Sequence, residues 1–246
     1  METKDILTFG LALLAFIVSA ISTTITIVRG RREKQRAIRN EITNVLSQIV
    51  ATAIENAKLY QENNEKPTPY YQAVSSILNQ RNAFLLNQAV YLSEQVPQLI
   101  TAVEYNTLAA ANANAGDLFT SEKFYRKAIE RSNNPFYRSM ALRSYAGFLF
   151  PQRRFTEARE IFRQAINLMQ GNGDQVHYTN GFTYQMWAWN ELVNAEAIEL
   201  ARQMFESAEN EFRKIDNDKV GRDAIMGLYA AVPLPPTTSH SVTVQG

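Results

Sequence analysis

Few residues in this sequence are of a type that does acid–base or covalent chemistry near neutral pH. Cysteine is absent and histidine occurs only as His177 and His240, so a thiol nucleophile, a disulfide framework, a Cys/His zinc site and an iron–sulfur cluster have no residues to build them. His177 stands in the stretch "GNGDQVHYTNG" with Asp174 as the nearest acid. A lone histidine in such a segment reads as a solvated side chain. The glycines of the same stretch lack the lysine and the strand–turn–helix setting that cradle a phosphate. Glu191, Glu196 and Glu199 are close in sequence, but carboxylates among helical Lys and Arg read as a solvated face. No metal-ligand spacing occurs. The expectation is a protein that is not an enzyme and needs no metal or cofactor, so its chemistry is recognition.

The 246 residues carry a formal net charge of +1, which gives no long-range field to steer nucleic acid. In "RRFTEAREIFR" the aromatics fall at core spacing and leave Arg153, Arg154, Arg159 and Arg163 as a surface fringe, so an RNA surface is not expected. Charge is organised only near the start. From Ile6 to Val28 the chain reads "ILTFGLALLAFIVSAISTTITIV" without an ionisable side chain. At about 1.5 Å per residue, a helix of that length covers a hydrocarbon layer of roughly 30 Å. Small residues around Ala20 also suit a signal-peptide cleavage site, but "METKD" ahead of the run is not basic and the apolar run continues past Ala20. Arg29, Arg31, Arg32, Lys34 and Arg36 follow the run. By the positive-inside rule they hold the remainder of the chain in the cytoplasm, and each attracts anionic headgroups by about 1 kcal/mol.

The elements that must position any binding surface are all helical, since no strand-like alternation appears after the anchor. Ile38, Ile42, Val45, Leu46, Ile49, Ala53, Ala57 and Tyr60 recur at spacings of three and four, which predicts an amphipathic stalk ending at "NNEKPTP". Thr68 as N-cap and Pro69 as first helical residue open the next helix. Its apolar stripe is Tyr70, Val74, Ile77, Leu78, Phe84, Leu85, Ala89 and Leu92, and it ends before Pro97. "DKVGRDAIMGLYAA" from Asp218 reads as a closing helix, and the Pro-rich, small and polar residues after it as a disordered tail.

Between these lies a repeated pattern. "SEKFYRKAIE", "TEAREIFRQAI" and "LARQMFESAE" each place a small residue, an aromatic four later and an alanine three beyond: Ser121, Tyr125, Ala128; Ala158, Phe162, Ala165; Ala201, Phe205, Ala208. Small side chains let paired helices approach to about 8–10 Å, and the aromatic fills the wedge toward the neighbouring helix. Tyr105, Leu108, Ala109, Gly116 and Leu118 precede the first copy, Leu142, Tyr145, Ala146 and Phe155 the second, and Pro135 is read as closing the first. The pattern resembles the tetratricopeptide repeat, a stack of antiparallel helix pairs. The copies lie further apart than that family's period of about 34 residues, and the excess before the third is assigned to a "GNGDQVHYTNG" loop.

The resemblance implies that first helices line a binding face. On it would lie Asn106, Ala110, Ala113 and Asn114 in the first copy, Arg143 and Gly147 in the second, and Met186, Asn190 and Asn194 in the third. Asparagine both donates and accepts, which suits the backbone of an extended peptide, and Arg143 suits one carboxylate. Trp187 stands among Tyr178, Phe182, Tyr184 and Trp189 and is a candidate interface anchor.

The sequence therefore predicts an all-α chain: a transmembrane anchor (1–30), a juxtamembrane helical stalk (31–66), an α-solenoid-like helical array (67–230, repeats over 101–215) and a tail (231–246). The expected role is a single-pass membrane adaptor or scaffold whose cytoplasmic array binds a protein or peptide, with no nucleic acid as partner. The alternative is a structural subunit of a membrane-associated homo- or hetero-oligomer.

Overall fold

A computed structural model describes the backbone of residues 3–62 and 68–234, and the side chains of residue 26 and of residues 28–62 and 68–234. The described residues are all-α, and they divide into two units, 1–100 and 101–246.

The first unit is a helical hairpin of α1 (Thr3–Glu62) and α2 (Pro69–Gln95). The Thr68 hydroxyl accepts from the Tyr71 amide at 3.1 Å and Pro69 is the first helical residue, as the sequence predicts. Ile42, Val45, Ile49 and Thr52 of α1 are buried, and Asn56 and Leu59 continue their row half-buried. Alternating steps of three and four are the signature of a coiled-coil seam, which keeps one face toward a partner helix along its whole length. On α2 the matching row is Tyr71, Ser75, Leu78, Asn82, Leu85, Ala89 and Leu92, buried or half-buried throughout. Its register is antiparallel: Gln88 donates to Glu41 at 2.8 Å, and Asn56 meets Asn79 at 3.2 Å and Ser75 at 3.3 Å. The expected stripes are corrected at two places. Ala53, Ala57 and Tyr60 are exposed because the seam turns to Thr52, Asn56 and Leu59, and Tyr70, Ile77 and Phe84 lie outside the seam.

Helix α2 pairs with α1 within the first unit, and the second unit begins at Thr101. Among the described residues no helix is long and apolar enough to cross a membrane. The apolar run from Ile6 to Val28 falls almost wholly on side chains outside the described residues, and the tail from 235 lies outside them too.

The second unit contains α3 (Ala102–Asn114), α4 (Leu118–Arg131), α5 (Pro135–Leu149), α6 (Phe155–Leu168), α7 (Asp174–Val193), α8 (Ile198–Arg213) and α9 (Asp218–Ala231). Side-chain caps start the first two hairpins. Thr101 and Glu104 form a reciprocal capping box at α3, Asp117 caps α4 after Gly116 at φ +84°, and Asn134 caps α5. Pro135 is the first residue of α5, so it opens the second hairpin instead of closing the first.

Helices α3 and α4, α5 and α6, and α7 and α8 pack as pairs, and successive pairs meet through α4 with α5 and α6 with α7. Ser121, Ala158 and Ala201, and then Ala128, Ala165 and Ala208, are fully buried, as are Ala109, Ala146 and Ala188 of the first helices. Ser121 shows how close the helices come: its hydroxyl donates to the Ala109 carbonyl at 2.8 Å. The three aromatics then reach forward. Tyr125 packs on Tyr145 at 5.8 Å, Phe162 stacks on Trp187 at 5.5 Å and Phe205 meets Tyr229 edge-on at 5.0 Å. Leu228 of α9 is fully buried and covers the α8 side of this last core.

The excess before the third copy is helix, not loop. Asp174 begins α7, and Val176 to Gly181 form its first turns. Gly181 is required by packing: a Cβ there would lie 2.5 Å from the ring of Phe212.

Candidate functional site

The groups with the most distinctive surroundings are three charged or titratable side chains on the first helices α5 and α7. His177 is buried in α7, and its Nδ1 lies 2.9 Å from Glu211 of α8. Burial would raise the Glu211 carboxyl, but hydrogen bonds from His177 and Lys214 outweigh it and hold it below its ordinary value. Asp174, the neighbour in sequence, instead accepts from the amides of Asp216 and Asn217 at 2.8 and 3.3 Å and ties the α8–α9 turn. The expectation of a solvated loop histidine is therefore overturned, because the segment is helical and its partner sits 34 residues away.

Glu191 is likewise not on a solvated face. It is fully buried, takes two hydrogen bonds of 2.7 Å from the Arg159 guanidinium, and accepts from Trp187 Nε1 at 2.8 Å. All its strong partners are internal, so it fastens α7 to α6. A second tie, Glu122 with Arg154 at 2.7 Å, joins α4 to the start of α6. Hydrogen bonds from Arg154, then Arg126 and Tyr145, lower the Glu122 carboxyl to about 2 against the opposing effect of burial. Arg154 and Arg159, expected as a fringe, are thus structural.

Arg143 differs from both. It is buried, with 7% of its surface exposed, and its guanidinium carbon lies 4.6 Å from the centre of the Phe182 ring. Its Nε has no hydrogen-bond partner, and no carboxylate reaches the group among the described residues. Loss of hydration lowers its pKa to about 10, so at neutral pH it remains a cation. A desolvated guanidinium carries a free-energy penalty unless an anion meets it.

The surroundings come from α7. Tyr178, Phe182, Met186, Asn190 and Asn194 follow one another four residues apart on that helix, and α5 packs against α7. Gly147 faces this row: a Cβ there would make ordinary contact with Met186 at 3.6 Å and Asn190 at 3.7 Å. Chain comparison adds no template for this arrangement. No protein-family model, curated protein or solved structure matches the chain.

The expected face is thus distributed over α3, α5 and α7, the first two of which also pack together. Asn106, Ala110 and Ala113 are half-buried and Asn114 is exposed; the Asn106 carbonyl oxygen is buried without a partner. Asn190 is buried and donates to the Met186 carbonyl at 2.8 Å, and Asn194 donates to Asn190 at 3.1 Å. Their hydrogen bonds are therefore used partly within α7. Trp187 is 4% exposed and stacked on Phe162, so it packs the array and does not project from it. Phe182, the platform under Arg143, is named in the sequence only among the aromatics around Trp187; its contact with Arg143 joins residues 39 apart and leaves no local signal. A cleft of about 700 Å³ lies elsewhere, between α4, α5 and α6, with Arg126, Leu142, Tyr145, Glu157, Glu160 and Ile161 in its wall. Arg29, Arg31, Arg32, Lys34 and Arg36 are all exposed on α1.

Proposed function

We propose that this chain is a membrane-anchored adaptor of the tetratricopeptide-like kind, whose α3–α5–α7 face holds a protein or peptide partner through a carboxylate delivered to Arg143. The observation that carries the reading is the buried, unpaired guanidinium over Phe182. Every other strongly buried charge in the array is matched internally, as at Glu191 and Arg159. An arginine fork binds a carboxylate bidentately, and in this setting the incoming anion also removes the penalty of the unpaired charge. One cation suits a single acidic side chain or chain terminus. The uncharged run from Ile6 to Val28 and the basic residues after it support the anchor and a cytoplasmic array.

The test is recovery of partners crosslinked in the native membrane by the wild-type chain and by Arg143→Met. Loss of a charge-assisted pair of about 1.5–3 kcal/mol lowers recovery by roughly ten- to a hundredfold. The melting temperature of Arg143→Met is expected to stay level or rise, because an unpaired buried charge has been removed. Undiminished recovery would end the proposal, and a large fall in melting temperature would make Arg143 a structural residue.

A further inference from the structure

Helix α2 has a second apolar row that the hairpin does not use. Tyr70, Ile77, Phe84 and Tyr91 are 71%, 64%, 70% and 65% exposed. They are spaced by seven, and each of the last three precedes a buried seam residue: Leu78, Leu85 and Leu92. One step along a helix is about 100°, so the row runs beside the seam and parallel to it. Its seven-residue spacing is that of the α1–α2 seam beside it, so the supercoil of the hairpin keeps this row straight as well and presents it as one continuous ridge. From Tyr70 to Tyr91 the row is roughly 31 Å long at 1.5 Å per residue.

We infer that this row is the contact through which two copies of the chain pair, α2 against α2. The partner must be a straight helix of comparable length with an apolar row of its own, and α2 meets both conditions. The row is a ridge and not a groove, which disfavours an extended peptide. It carries no cluster of Lys or Arg to draw it to anionic lipid. Of its flanking positions, Ala73, Val74, Gln80, Asn87 and Gln88 are uncharged; the charged ones are Arg81, which has Glu55 of the same hairpin at 4.0 Å, and Glu94 at the end of the row. Along most of its length the row therefore sets no like charge against a second copy. The four side chains present on the order of 500 Å² per copy, or about 1,000 Å² for the pair, which reaches the lower size of a specific interface.

The experiment uses the full chain in detergent, with mass by light scattering and disulfide crosslinking at single introduced cysteines. The sequence has no cysteine of its own, so each probe reports alone. The wild type is expected to be dimeric. Ile77→Glu with Phe84→Glu should make it monomeric with its helical circular dichroism unchanged, whereas Ile54→Glu, on exposed α1 surface, should leave the dimer intact. Ile77→Cys should crosslink to itself if the pair is parallel, or to Phe84→Cys in a mixture if it is antiparallel. A monomeric wild type, or a dimer that survives the double glutamate variant, overturns the proposal; the second result would assign pairing to another segment. Arg143→Met should leave the dimer unchanged, so the outcome is independent of the adaptor reading.

Discussion

The α1–α2 hairpin and the array from α3 to α9 are both made of antiparallel helix pairs, yet their helices are fitted together in different ways. In the hairpin a row of side chains recurs every three and four residues and interlocks along the full length. Its far half is polar, with Thr52, Asn56, Ser75 and Asn82 in the seam. In the array the approach is fixed at a few points by fully buried Ala and Ser, aromatics bridge to the next helix, and partly buried ion pairs join residues 32 apart in sequence. A long seam distributes its contacts and tolerates polar insertions. A stack of short helices concentrates its specificity in single residues, so individual substitutions there should weigh more.

The sharpest break of that contrast is Glu191→Ala. It leaves the buried Trp187 Nε1 without its acceptor and the partly exposed Arg159 guanidinium without its carboxylate, a loss of about 3 kcal/mol. Chemical denaturation of the full chain is expected to show that loss; a change no larger than for a surface glutamate would show that the tie is dispensable. Ala158→Leu tests the crossing itself. Overpacking a fully buried site costs about 1–3 kcal/mol, while Ala53→Leu on exposed hairpin surface is expected to change stability by less than about 0.5 kcal/mol. Equal effects at the two sites would erase the distinction between seam and crossing.

A third expected effect depends on pH. Because Arg154, Arg126 and Tyr145 lower Glu122 in the folded chain to about 2 from an ordinary value of 4.5, its contribution is complete above the unfolded value. It is lost as pH falls from about 4.5 through about 2. The contribution is on the order of 2 kcal/mol after allowance for solvent screening. Denaturation of wild type and Glu122→Gln should differ at pH 7 and converge near pH 2; a constant difference would place the stabilisation in shape and not in charge.

Much of the framework is legible from short-range pattern. Thr68 before Pro69 is a local signal that the structure uses at a helix start; the caps at Thr101 and Asp117 are equally local but are not among the expectations read from the sequence. The small–aromatic–small spacing identifies the buried crossings correctly at Ala158, Ala165 and Ala201. Its weakness lies at glycine. Gly181 reads as loop chemistry, whereas it is the place where α7 must clear Phe212, and the contact of Arg143 with Phe182 in the next turn has no local signal. The stripe on α2 is similarly visible as apolar but not as two faces, because periodicity alone cannot say which of two adjacent rows meets α1.

The sequence by itself determined the all-α class, the helix starts at Pro69 and Asp218 and which small residues are buried between helices, since caps and periodicity act within a few residues of one chain segment. Only the tertiary structure decided that Glu191 and His177 are paired, that Trp187 is internal and that Arg143 is a cation without an acid. The physical reason is that a charged side chain's state depends on which groups the fold brings within about 3 Å and on how much water it removes, and those groups come from helices more than 30 residues away.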